Sequence, residues 1–323
     1  MKSHNSSSTF KNLLLGSLLA LPMTVSAAPV CESSVTDTGI EKSFPGLQAG
    51  KSGWLFREHD LIESFGPNRT GYNGLRAIQQ SLAERGTTLM IVPLPTRGIV
   101  HPEFVDDTEF DHRVAAKNYY LYLNRLRRVG LLTPQLDELT AGDQTEPLYF
   151  ARDHHWTPTG AAVTAQLVSK EVARNNLLTD VPTMSFTTTT VEQDATPGSY
   201  ARAAKDLCGI EYGAETFSVH YTEAQLDLFA DVANPEVVLV GTSNSNGVKH
   251  FNFGGFLRQE LGVDVLNVAT SGGGFDESLI QYLQSPEFST QAPRLIIWEV
   301  PGYYSLNQAD FYDTVLNILG EKS

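Results

Sequence analysis

The sequence is poor in cysteine, in tryptophan and in basic residues, and each shortage excludes something. Two cysteines in 323 residues cannot make a disulfide-stapled mini-domain or a thiolate metal cluster. Lys and Arg total 23 against 37 Asp and Glu, a net charge of −14. That balance argues against a nucleic-acid binder, which needs a basic face for phosphates. No repeat occurs, and the low-complexity runs at Ser6–Thr9 and Thr187–Thr190 are too short to form a domain. After the first 27 residues no apolar run is long enough to cross a bilayer. What remains is ordinary globular composition, 41% hydrophobic and 19% charged. The length allows one large α/β domain or two modest ones.

Residues 1–27 read as a cleavable secretory signal. Lys2 and Lys11 supply the basic start, Leu13 to Leu21 the apolar stretch, and Val25-Ser26-Ala27 the small-residue cleavage site. Bulky Val30 before Cys31 argues against lipidation there. Export puts Cys31 and Cys208 in an oxidising compartment, so one disulfide between them is the expected pairing, with two unpaired thiols as the alternative. Losing Lys2 and Lys11 with the leader takes the charge from −14 to −16. An anionic ligand would then need a local basic strip. Arg97, Arg125, Arg127, Arg128, Lys249 and Arg202 are the candidates, with plain surface solubility as the alternative for each.

The mature chain alternates strand and helix signals. Regular structure is expected from Gly53-Trp54-Leu55-Phe56 onward. Leu75, Ile78 and Leu82 follow helical spacing with Gly86 as the stop. Thr88 to Val92, closed by Pro93, reads as a buried parallel strand, and Arg113 to Arg128 as a helix ended by Gly130. Thr157-Pro158 is an N-cap followed by a first-turn proline, opening a helix through Ala173. Val181 to Leu228 reads as a less regular excursion. Strands at Val237–Val240, Val263–Val268 and Leu295–Trp298 then alternate with helices at Phe251–Leu261 and Phe275–Leu283. This pattern predicts a doubly wound parallel sheet with flanking helices, whose ligands bind beyond the carboxyl ends of the strands.

Three motifs fall at such ends. Gly241-Thr242-Ser243-Asn244-Ser245 follows a strand and holds up Ser243 as a nucleophile, with backbone N–H groups near an oxyanion; ordinary turn chemistry explains the same composition. Asp153-His154-His155-Trp156 precedes the helix at Thr157. Asp153 can fix the tautomer of His155 while His155 takes a serine proton. A metal site would need further ligands that no motif supplies, so no metal or cofactor is expected. His154, between the two, is expected to point away. Ser271-Gly272-Gly273-Gly274-Phe275 offers further N–H donors to an oxyanion. It lacks the lysine or acid that a nucleotide site requires. Glu299, at a strand end, points to the same side, with a solvated acid as the plain alternative.

Together with Lys51-Ser52-Gly53-Trp54-Leu55-Phe56, Pro95-Thr96-Arg97-Gly98, Leu207-Cys208-Gly209, Asn252-Phe253-Gly254-Gly255-Phe256-Leu257 and Trp298-Glu299, these motifs resemble the SGNH-hydrolase-like family of alginate O-acetyltransferases, the AlgX/AlgJ type, across nearly the whole mature chain. The resemblance implies an SGNH-hydrolase-like α/β fold in which Asp and His precede the serine, a circularly permuted motif order. It implies a triad of Ser243, His155 and Asp153; beside it, the glycine run Gly272-Gly273-Gly274 is read at the oxyanion, and Arg97 and Lys249 stay candidates to meet an anionic acceptor. It further implies a periplasmic protein that acetylates alginate at mannuronate, an acetyl donor supplied through a membrane O-acyltransferase, and other exopolysaccharide assembly proteins as partners. Residues 28–323 would form a single domain without a C-terminal carbohydrate-binding module. Phe251 stands where the family carries a tyrosine, a hydroxyl that Lys249 or His250 would have to replace. A carbohydrate acetylesterase with the same triad and a non-catalytic scaffold subunit of an assembly complex are the alternatives.

Overall fold

A computed structural model describes residues 1, 30–31, 44, 46–141, 146–225 and 235–320; the expected signal segment lies outside them except for Met1. Among the described residues, no helix is long and apolar enough to cross a membrane.

In chain order the strands are β1 (Gln48–Ala49), β2 (Leu55–Phe56), β3 (Thr88–Leu94), β4 (Phe186–Thr196), β5 (Glu215–Ala224), β6 (Val237–Val240), β7 (Val265–Asn267) and β8 (Leu295–Pro301). Four of them form a parallel sheet in the order β3-β8-β6-β7. Its two central strands, β8 and β6, are buried along their whole length. Continuous Val, Ile and Leu runs give this result when helices cover both faces of a parallel sheet.

The covering helices begin where the sequence places caps. Asn68 accepts from the Gly71 amide at the start of Arg69–Ala83, and Asp111 accepts from the Arg113 and Val114 amides ahead of His112–Arg128. Thr157 accepts from the Gly160 amide ahead of Pro158–Arg174. Each cap satisfies an amide that the first helical turn leaves open. One layer packs Arg69–Ala83 against Ala309–Gly320, and another packs Pro158–Arg174 against Phe253–Leu261. Leu75, Ile78 and Leu82, the spaced apolar face, are fully buried.

The expected irregular excursion at Val181–Leu228, whose residues 226–228 lie outside the described residues, instead contains a long antiparallel pair. β4 and β5 run from Phe186 opposite Ala224 to Thr196 opposite Glu215, with a register shift between Thr190 and Glu192. Phe217 and Val219 alternate inward while the threonine run of β4 faces outward. Threonine favours strands through its branched Cβ, but a strand exposed on both faces shows no apolar alternation to read. Between β4 and β5, helix Ser199–Cys208 carries Cys208, which is disulfide-bonded to Cys31 with Cα atoms 5.7 Å apart.

Candidate active site

Ser243 opens a single helical turn, Ser243–Asn246, directly beyond β6. Thr242 caps that turn: its hydroxyl accepts from the Asn244 amide at 3.2 Å, and its carbonyl accepts from the Ser245 and Asn246 amides at 3.0 Å. Beneath it lies Glu299. In β8, Trp298 pairs with Val240, so the following residue reaches under the turn. Its carboxylate accepts from the Thr242 amide at 2.8 Å, the Thr242 hydroxyl at 3.0 Å and the Ser245 hydroxyl at 3.0 Å. Gly241 permits this approach, because a Cβ there would sit 2.6 Å from Glu299 Oε2.

Glu299 is 0% exposed, so the solvated strand-end acid is replaced by a buried carboxylate organising the serine turn. Burial raises its carboxyl above the ordinary value, opposed by the Thr242 amide and by the Thr242, Ser245 and Asn244 side chains. Its position at a strand end was legible in the sequence; its burial was not.

The Asp153-His154-His155 segment is held out by its neighbours. An isolated antiparallel bridge joins Tyr149 to Trp156, and the Ala151 and Arg152 amides donate to Glu215 of β5 at 2.7 and 2.8 Å. Trp156 then reaches the serine turn directly, its indole N–H donating to the Asn244 carbonyl at 3.1 Å. That bond fixes the distance between two segments 88 residues apart.

The result is a linear relay. His155 Nδ1 is 2.6 Å from Asp153 Oδ1, and His155 Nε2 is 2.8 Å from Ser243 Oγ. Asp153 also accepts from the His155 amide at 3.0 Å and, through Oδ2, from the Ser199 amide at 2.7 Å. Gly198 makes the second contact possible: its φ of +85° is open to glycine, and a Cβ would collide with the Arg152 carbonyl. Burial pushes the Asp153 carboxyl up, but its His155 ring and amide partners and nearby His154 outweigh burial and hold it well below the ordinary carboxylate range. An ionised Asp153 accepts from Nδ1–H and leaves Nε2 free to take a proton from Ser243.

His154 does not point away. Its ring centroid lies 3.7 Å from that of His155, and its Nδ1 bonds Ser199 Oγ at 2.7 Å. Burial, with His155 next to it, drives its pKa well below the ordinary histidine value and keeps it neutral. Phe251, buried, stacks on the other histidine, its ring 5.0 Å from His155. At this position an aromatic ring steadies the imidazole. Ligand-type atoms of Asp153, His154 and His155 lie within 4.8 Å of one another, the one such grouping among the described residues. Both His155 nitrogens and His154 Nδ1 are engaged in the bonds just given.

Gly272 and Gly274 share with Ser243 the wall of a cavity of about 300 Å³. Asn246 Nδ2 donates to Ser271 Oγ at 3.1 Å and holds the glycine turn against the serine turn. Gly273 belongs to the same turn but faces Glu277.

The two basic residues expected to meet an anionic ligand are otherwise occupied. Arg97 is 1% exposed and donates to the carbonyls of Leu55, Phe150 and Ala151 and to Asp60 Oδ2. Its two terminal nitrogens tie β2 to the loop before Asp153, a structural role that hides it from ligand. Lys249 is exposed, and its ammonium pairs with Asp194 at 2.8 Å and Glu192 at 3.6 Å on β4. Both partners lie far away in sequence, which is why the basic strip could not be read there.

Residues 47–302 match the family model described as SGNH hydrolase-like domain, acetyltransferase AlgX. The alginate biosynthesis protein AlgX of Pseudomonas aeruginosa is 36% identical over 299 residues, 88% of this chain and 63% of its own. The probable alginate O-acetylase AlgJ of the same organism is 30% identical over 282 residues, 80% of this chain and 70% of its own. A solved structure of P. aeruginosa AlgX superposes with a TM-score of 0.83 at 34% identity, covering 92% of this chain and 71% of the other. The chain thus spans less than two thirds of the AlgX sequence it matches. The fold is the SGNH hydrolase-like α/β fold, with a central parallel sheet and flanking helices.

Proposed function

The chain belongs to the family of SGNH hydrolase-like acetyltransferases that includes AlgX and AlgJ, and from that premise we propose that it is a serine-dependent O-acetyltransferase of an exported polysaccharide. The carrying observation is the relay of Asp153, His155 and Ser243 at 2.6 and 2.8 Å. Alginate is the acceptor class, because the relatives are named for alginate biosynthesis and alginate O-acetylation, and mannuronate is the residue acetylated. The protein works in the periplasm, beside a membrane O-acyltransferase that brings acetyl groups across and with other components of the exopolysaccharide assembly.

The chemistry is two-step acyl transfer. His155 Nε2 takes the Ser243 proton as Oγ attacks the acetyl carbonyl. The tetrahedral oxyanion is met by backbone N–H groups of the serine turn and of Gly272–Gly274. His155 returns the proton to the leaving group of the donor, and Ser243 is left acetylated. A sugar hydroxyl then attacks the acetyl carbon while His155 takes its proton. Collapse passes the acetyl group to the sugar, and the proton returns to Ser243. Asp153, ionised throughout, steadies the imidazolium in both steps.

The test is to mix the protein with a chromogenic acetyl ester in the absence of acceptor, quench, and map acetylated peptides by mass spectrometry. Acetyl on Ser243 in the wild type, and none in Ser243→Ala, is expected. Full ester cleavage by Ser243→Ala contradicts the assignment.

A further inference from the structure

Ser243 opens onto a cavity of about 220 Å³ whose wall combines Phe150, Phe217 and Phe251 with one acid, Asp153, and one arginine, Arg202. The acid is already committed. Asp153 Oδ1 accepts from the His155 ring at 2.6 Å and from the His155 amide at 3.0 Å, and Oδ2 accepts from the Ser199 amide at 2.7 Å. Arg202 is exposed, and a guanidinium keeps its charge at every pH the protein meets. The permanent charge that this cavity offers to a ligand is therefore positive, in a chain of net charge −14.

The helix that carries Arg202, Ser199–Cys208, is fixed at both ends. Its first residue donates its amide to Asp153, and its last is disulfide-bonded to Cys31. Between them Tyr200, Ala201, Ala203 and Ala204 are buried, and the Tyr200 hydroxyl donates to Asp60 at 2.7 Å. Residues three apart on a helix are neighbours on its surface, so Arg202 stands one turn from the residue that holds the Asp153 carboxylate. The other cations near the site are spent. Arg97 is bonded to backbone carbonyls and Asp60, Lys249 pairs with Asp194 and Glu192, and Arg152 pairs with Glu215 at 3.7 Å. Lys205, on the same helix, pairs with Glu211 at 2.8 Å. Among the described residues the Arg202 side chain has no ion pair or hydrogen bond, Asp206 one turn further on included. Its planar fork matches a carboxylate with two parallel N–H donors.

We propose that Arg202 receives the carboxylate of an acidic sugar while a hydroxyl of that sugar is presented to acetylated Ser243. The assignment rests on the acetyltransferase reading and deepens it. The phenylalanine wall takes the apolar face of the sugar ring, and discrimination between acidic and neutral acceptors falls to Arg202.

Binding tests this apart from catalysis. Oligomannuronate and a neutral mannose oligosaccharide of equal length are titrated calorimetrically into the whole protein, without a donor, at two ionic strengths. Arg202→Gln should weaken oligomannuronate roughly five- to thirtyfold, between the strength of an exposed ion pair and that of a bidentate charge-assisted one. Its salt dependence should flatten. Affinity for the neutral sugar should hold, Arg202→Lys should recover part of the loss, and Arg202→Glu should lose more than Arg202→Gln. Arg128→Gln removes the same charge from an exposed position that does not line the cavity, and it should change oligomannuronate binding less than twofold, a screened long-range effect. Equal weakening of both sugars, unchanged binding of oligomannuronate, or an equal loss in Arg128→Gln overturns the proposal. Acid-selective binding that Arg202→Gln abolishes, in a protein that transfers no acetyl group, would keep the Arg202 assignment and remove the transferase reading. Transfer that still prefers mannuronate to the neutral sugar in Arg202→Gln would do the reverse.

Discussion

His155 Nε2 stands 2.8 Å from Ser243 Oγ although 88 residues separate them in the chain. The contact exists because Trp156, next to His155, is bonded to the carbonyl of Asn244, next to Ser243. The two ends of the His155–Ser243 contact are thus located by a bond between their chain neighbours.

Asp153→Asn keeps the shape of the relay but presents an amide where Nδ1–H needs an acceptor. The wrong tautomer then faces Ser243, and kcat for a chromogenic ester should fall on the order of 10²–10⁴-fold with little change in KM. Combined with Ser243→Ala, the double variant should be no slower than Ser243→Ala alone, because both act in one unit. Steady-state kinetics of the three variants check this, and additive losses would contradict it.

The depressed carboxyl of Asp153 makes stability depend on pH with a definite sign. Its folded value lies below the ordinary 3.8, so the stabilisation is complete above that value and is lost as pH falls through the folded one. The contribution is on the order of 2–3 kcal/mol. Urea midpoints of wild type and Asp153→Asn should differ most near neutral pH and converge progressively below pH 3.8. A gap that stays constant into acid would refute the linkage.

Glu299→Ala removes the acceptor of the Thr242 amide and of the Thr242 and Ser245 hydroxyls. The buried donors left behind, and the void, should cost about 3–5 kcal/mol. Glu299→Gln can still accept from the amide and, with hydroxyls turned, donate to one of them, so it should lose less. Where protein is recovered, kcat should fall in the order wild type, Gln, Ala, because the turn carrying Ser243 loosens. Thermal unfolding with ester kinetics checks the ranking, and Gln falling as far as Ala would contradict it.

Arg97→Ala should behave as a fold lesion. Removing a buried guanidinium takes the Arg97 ion-pair partner from Asp60 and leaves three carbonyls without those donors, a loss of about 3–5 kcal/mol. Residual activity toward neutral and anionic substrates should decline equally. A selective loss toward anionic acceptors would restore Arg97 to the binding surface.

Much of this was legible in the sequence, for identifiable reasons. Thr157-Pro158 marks a helix start through local backbone chemistry, and Val237–Val240 and Leu295–Trp298 read as buried strands because both faces are covered. Ser243, Asp153 and His155 stand at element ends, where parallel sheets collect their ligands. The hidden parts depend on partners far along the chain. Threonines of β4 show no apolar alternation, Glu299 reads as solvated until the turn above it is placed, and Arg97 reads as free until Asp60 is found 37 residues away.

The central claim is tested most directly by mass spectrometry of oligomannuronate incubated with an acetyl donor and either wild type or Ser243→Ala. Acetylated oligosaccharide is expected with the wild type and none with the variant. Free acetate without acetylated product, or equal acetylation by both proteins, would contradict it.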